Sequence, residues 1–195
     1  MSNDLEAPAR AAFASGAGRK GDWMQTRSGR DFWPLDPHPE DVDIDDIAHA
    51  LSNLCRYGGH CKAFYSVAQH SVFVSRVVPA EHALAGLLHD ASEAYCVDMP
   101  RPIKRFLPDY ERIEHGIWLA VAERFGLPAE LHPCVKVADD AVLLAEKAQI
   151  MGESPHPWSV PGTPADIFIL PWNPASARRA FMARFDELME ARHGD

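Results

Sequence analysis

From Asp43 onward, apolar residues return at steps of three and four, the period of a helix with one face turned to a core. Asp43 is placed to cap a first helix whose stripe is Ile44, Ile47, Ala48, Leu51 and Cys55, stopped by Gly58-Gly59. A second helix over 65–78 puts Val67, Ser71, Val74 and Val78 on one side. Pro79 interrupts, and a third follows over 80–91. The segment 98–108 holds three prolines and predicts a fixed loop. A long helix over 109–125 buries Ile113, Ile117, Val121 and Phe125, and Gly126-Leu127-Pro128 closes it. Another covers 133–151. After a proline-rich loop over 154–171, Asn173-Pro174 opens a last helix that buries Ala177, Phe181, Phe185 and Leu188. Ahead of the helices, two aromatic-bearing runs within 22–36 flank Ser28-Gly29 and predict a short hairpin. The expectation is a mostly α chain with a small N-terminal β-hairpin, one domain over 22–195. Residues 1–21, rich in Ala, Gly, Ser and Arg without an amphipathic stripe, read as a mobile N-terminal arm.

Composition narrows what such a domain does. Nineteen Lys and Arg stand against 28 Asp and Glu, a formal charge of -9, which argues against a nucleic-acid polymer or an anionic membrane as partner. A small phosphorylated ligand stays open, because a local basic cluster serves it. The four cysteines (Cys55, Cys61, Cys96, Cys134) form no CxxC pair, and no run nears the roughly 20 apolar residues of a membrane span. Free thiols and a cytoplasmic location follow as expectations.

The chemistry resides in the polar residues that the helical pattern turns inward. His89-Asp90 adjoins the strongly apolar stretch 83–88, and a buried carboxylate is normally tied to a partner or a metal. His70, three after Val67 and four before Val74, shares their core-facing side. Asp139 is related in the same way to Val135 and Val142, whereas Asp140, rotated by about 100°, should face solvent. Two imidazoles and two carboxylates, His70, His89, Asp90 and Asp139, suit one divalent ion (Mn, Co, Fe, Ni or Zn), with positions left for water or a substrate oxygen.

The string His89-Asp90-Ala91-Ser92-Glu93, the following Asp98-x-Pro100-x-Pro102-x-Lys104, the upstream Tyr65-Ser66-Val67-Ala68-Gln69-His70 and the downstream Lys136-Val137-Ala138-Asp139 resemble the HD-domain metal-dependent phosphohydrolases. The resemblance is nearest to the bacterial HD-domain 5'-deoxynucleotidases and the related deoxynucleoside triphosphohydrolases, and it spans about 56–146. It implies an HD-domain helical bundle and a homodimer. It also implies metal ligation by His70, His89, Asp90 and Asp139, catalytic acids at Glu93 and Asp98, and substrate contacts from Arg56 and Lys104. His60 is a further candidate for the substrate pocket, and Trp23, Phe32, Trp33, Phe64 and Tyr65 for stacking a nucleobase. Arg56, Lys62, Arg101, Lys104 and Arg105 crowd the same segments, where cations balance a phosphate. His115 and His132 lie where some HD proteins hold a second metal. His115 falls off the buried stripe and His132 precedes Pro133 in a turn, so a one-metal site is expected. The reading is a 5'-deoxynucleotidase releasing phosphate from deoxynucleoside monophosphates. One alternative is a triphosphohydrolase that releases triphosphate; another, of a different class, is a non-catalytic metal-dependent nucleotide-binding module.

Overall fold

The computed structural model describes residues 18–193; most of the arm expected over 1–21 lies outside them. Its last residues are fastened. Arg19 pairs with Asp36 (3.0 Å) and Asp41 (2.8 Å) and lies over the Trp33 ring.

The hairpin forms as expected, β1 (Met24–Gln25) antiparallel to β2 (Asp31–Phe32), with Met24 opposite Phe32. Eight helices follow among the described residues: α1 (Ile44–Asn53), α2 (Val67–Val77), α3 (Ala83–Leu88), α4 (Glu93–Cys96), α5 (Arg101–Lys104), α6 (Pro108–Phe125), α7 (Pro133–Ile150) and α8 (Pro174–His193). The chain is therefore mostly helical. Caps set the ends that the sequence marks: the Asp43 carboxylate accepts from Asp45 N (2.9 Å), Ser66 Oγ from Gln69 N (3.2 Å) and Asn173 Oδ1 from Ser176 N (2.9 Å). Gly126 ends α6 in the left-handed region, φ 62°, and Leu127 N reaches back to Ala122 O.

Three expectations are corrected. The first helix stops at Asn53 rather than reaching Cys55, because Leu54 and Cys55 extend to pair with the entrance of α2: Arg56 N donates to Tyr65 O and Val67 N to Leu54 O. The third helix is a turn at Ala80–His82 followed by α3, and it ends before His89. The segment 98–108 is not all loop. Arg101–Lys104 makes one helical turn, which Pro102 tolerates because a first-turn N–H has no intrahelical partner to lose.

Two adjoining apolar clusters fill the interior. One joins α1, α6 and α8 through Ile47, Leu51, Ile117 and Phe181; the other joins α2 and α7 through Val74 and Val142. His70 lies on α2 between Val67, in the first, and Val74, in the second. Gly86 fixes how closely α3 approaches α2. A Cβ there would meet Val78 Cγ1 at 2.9 Å and the Ser75 backbone at 3.2 Å. The hairpin braces α4 in turn, since Phe32 stacks on Tyr95 (centroids 3.8 Å apart, 14° between planes). None of the helices is long and apolar enough to cross a membrane, among the described residues.

Candidate metal centre

The polar groups that face inward meet where α2, the α3–α4 turn and α7 converge. Donor atoms of His70, His89 and Asp139 all lie within 4.8 Å of one another. His70 Nε2 is 3.2 Å from Asp139 Oδ1 and 3.7 Å from Asp90 Oδ2, and His89 Nε2 is 3.2 Å from the same Asp90 oxygen. The turn aims both members of the His89-Asp90 pair: Ala91 N closes on Leu88 O and Glu93 N on Asp90 O, so the chain leaves α3 and re-enters a helix at Glu93.

Hydrogen bonds at the far nitrogen fix each imidazole. His89 Nδ1 lies 2.9 Å from the Gly86 carbonyl, which can only accept; the proton is therefore on Nδ1, and a neutral ring offers its Nε2 lone pair. His70 Nδ1 lies 2.6 Å from Glu146 Oε1, with the same consequence. Both Nε2 atoms are buried and form no hydrogen bond of acceptable geometry, and neither does Glu93 Oε2. Buried polar atoms are normally satisfied. Two orphaned imidazole nitrogens aimed at two carboxylates have the donor types and arrangement that a divalent cation requires. The residues present fit such an ion.

Glu146 is the participant the sequence reading missed. It is fully buried; Oε1 faces His70, and Oε2 accepts from Arg56 Nε (3.2 Å) and from the Tyr57 hydroxyl. Its signal was available: the steps Val135, Asp139, Val142, Glu146 continue one core stripe of α7. Burial pushes the Glu146 carboxyl up, but Arg56 and His70 outweigh it and bring it to about 2. Burial and Arg56 push His70 down, but Glu146 and Asp139 outweigh them and raise it to about 9. A lowered carboxylate stabilises the fold above its unfolded value of 4.5, and that contribution fades as pH falls towards about 2. A raised imidazole stabilises below 6.5, and its contribution is lost as pH rises through about 9. In chelator, the melting-temperature difference between the wild-type chain and Glu146→Gln is therefore expected to peak between about 4.5 and 6.5 and to shrink on both sides. A difference that shrinks neither as pH falls towards about 2 nor as it rises through about 9 would show that the pair is not linked to folding.

The remaining carboxylates divide by charge environment. Burial raises Asp90 and Asp139, but His89 for the first and His70 for the second lead the interactions that hold both well below the usual carboxylate range. Asp139 Oδ2 also receives Arg101 (3.0 Å) and Lys136 (3.1 Å), leaving Oδ1 for the His70 side. Asp140, expected at the surface, is buried, because Arg101 and Lys136 close over it as well. Glu93 moves the other way. Burial first, then the negative charges of Asp90 and Asp98, hold it well above the carboxylate range. Burial also raises Asp98.

A cavity of about 960 Å³ opens onto this cluster and is lined by Arg56, His89, Asp90, Glu93, Asp98 and Asp139, among others. Lys104 and Arg105 line it too; the Lys104 ammonium is paired with Glu114. His60 is exposed and lines neither this cavity nor a neighbouring one of about 400 Å³, and Lys62 likewise lines neither. The five aromatics expected to stack a base are elsewhere: Phe32, Trp33 and Tyr65 are buried, and Trp23 and Phe64 line neither cavity. Two non-glycine residues carry a positive φ that such residues rarely adopt, Tyr57 (φ 56°), which lines the larger cavity, and Val97 (φ 65°), each next in sequence to Arg56 or Asp98.

His115 is exposed on the smaller cavity and does not join the centre. His132 caps α7, its Nδ1 accepting from Cys134 N at 3.3 Å, and stacks on His82 with centroids 4.4 Å apart. His82, His132 and Cys134 form a second donor group within 4.8 Å, more exposed than the first. All four cysteines are free thiols.

No protein-family model matches the chain. The uncharacterized protein YfdR of Escherichia coli K12 is 43% identical over 173 residues, spanning 87% of this chain and 97% of the relative. The uncharacterized protein RCAP_rcc00048 of Rhodobacter capsulatus is 35% identical over 196 aligned positions, spanning 88% of this chain and 98% of the relative. Conserved across nearly the whole length of both partners in the first alignment, the chain belongs to the YfdR family.

Proposed function

We propose that the chain is a metal-dependent phosphohydrolase of HD-domain type that acts on nucleotides, with a 5'-deoxynucleoside monophosphate as substrate and inorganic phosphate as product. One observation carries this reading: two buried imidazole nitrogens without hydrogen bonds face the Asp90 and Asp139 carboxylates, which line a cavity together with two carboxyl groups of raised pKa. His70, His89, Asp90 and Asp139 would hold the ion. When bound, a divalent ion there supplies Lewis acidity, polarising a phosphoryl oxygen and making water a competent nucleophile near neutral pH.

The chain's own groups do the rest. Glu93, raised by burial and by its acidic neighbours, holds or accepts a proton at its unpartnered Oε2 beside the attacking water. Asp98, also raised, delivers a proton to the departing 5'-oxygen. Arg56 lies 3.6 Å from Asp90 and lines the cavity, so its guanidinium is placed to balance phosphate charge.

The triphosphohydrolase reading keeps one specific support: Arg101, Lys104, Arg105 and Lys136 all line the larger cavity, enough cations for more than one phosphate. The deciding experiment assays mono-, di- and triphosphate nucleotides with Mn, Co, Ni, Zn and Mg, resolving orthophosphate from tripolyphosphate. Orthophosphate from monophosphates is the expected result. Tripolyphosphate would move the assignment to the second reading. Tight nucleotide binding with no product from any member would replace both with a binding module.

A further inference from the structure

We infer that Trp158, with Tyr57 beside it, forms a nucleobase-stacking subsite in the wall of the larger cavity. The inference rests on the nucleotide reading above and extends it to how the base is held. Trp158, Ser159 and Val160 line the same cavity as Arg56, Glu93 and Asp139, so one continuous space runs from the candidate metal ligands to an indole ring. A volume of about 960 Å³ is ample for a nucleotide whose phosphate is anchored among the charged groups. Tyr57 and Trp158 adjoin as walls of that space, with ring centroids 5.8 Å apart and planes at 49°.

Both rings are held before any ligand arrives. Tyr57 is tied through its hydroxyl to Glu146 and takes its direction from a left-handed backbone. The Lys147 ammonium lies 5.3 Å from the Trp158 centroid, within reach of a cation–π contact. A preorganised aromatic wall contributes binding without the entropy cost of ordering a mobile one. Stacking accepts any base, because every base has a π-face. The subsite should therefore separate nucleotides from other phosphate esters more sharply than it separates one base from another.

The test compares the full-length, metal-loaded wild-type chain with Trp158→Ala and Trp158→Phe on deoxynucleoside monophosphates and on deoxyribose 5-phosphate, which lacks the base. Trp158→Ala is expected to raise KM for the nucleotides about tenfold or more, the scale of losing one base–aromatic stack, and to leave deoxyribose 5-phosphate kinetics unchanged. Trp158→Phe should recover most of the nucleotide affinity. Equal loss on both substrates would reduce Trp158 to a structural wall, and no change on either would remove it from the site; each result overturns the inference. Binding of a nucleoside monophosphate and of deoxyribose 5-phosphate is followed in parallel by calorimetry. Nucleotide binding that depends on Trp158 without turnover upholds the subsite and overturns the hydrolase assignment. No nucleotide binding by the wild-type chain overturns the subsite.

Discussion

Glu93→Gln is expected to leave the divalent ion bound and to lower kcat by about 10²- to 10⁴-fold, the range contributed by a positioned proton-transfer group. The substitution keeps the shape of the side chain and removes only its capacity to take or give a proton. Glu93 stands apart from the donor cluster in its electrostatics. Asp90 and Asp139 are held low by imidazoles, as ligands to a cation should be, while burial and two like charges hold Glu93 high. That contrast between neighbouring carboxyl groups is how acid–base and electrostatic roles are divided in a site. Metal content measured after gel filtration, alongside turnover, separates the outcomes. Loss of the ion together with activity would make Glu93 a ligand, and full activity would remove it from the chemistry.

Glu146→Ala is expected to destabilise the fold by about 3–5 kcal/mol, the cost of deleting one partner from a buried ion pair. The loss falls on two groups at once. Of the two ion pairs that buried Arg56 makes among the described residues, the one to Asp90 at 3.6 Å would remain, and His70 Nδ1 would face a void. The same substitution frees the His70 ring to rotate or change tautomer, so metal affinity should fall by about 10- to 100-fold, as it does when a supporting carboxylate is removed from a ligating histidine. Denaturant unfolding and a metal titration measure the two effects separately. A stability change below about 1 kcal/mol, with affinity unaltered, would show that the carboxylate does not hold the ring.

The fold was legible wherever one periodic stripe governed a segment. The stripe Ala177, Phe181, Phe185 packs as its spacing implies, and Asp43, Ser66 and Gly126 end helices for the local reasons visible in the chain. Prediction failed where a distant partner decided. Cys55 is pulled out of α1 by Ser66, and Asp140 is covered by Arg101 from α5, which rotation about its own helix axis cannot reveal. Within the site, His70 and Asp139 were readable because an inward polar residue on an apolar face is anomalous. Glu146 lay on that same stripe, but the motif it supports ends before it. Trp158 sits in a proline-rich loop where no period marks a facing direction, so only the folded chain brings it to the cavity.

The donors of the centre come from stretches that fold at different positions along the chain: α2 and the end of α3 are near neighbours in sequence, while α7 joins only after α4, α5 and α6 have been laid down between them. The packing of α2 on α3 therefore suffices to bring the two imidazoles together, but the third arm is supplied only where α7 docks. An ion that demands all three would bind only the chain in which α7 is docked, and its binding energy would be added to the stability of that docked state. Without such an ion the docked position of α7 would lose that contribution, and the helix would be released and cut by a protease more readily.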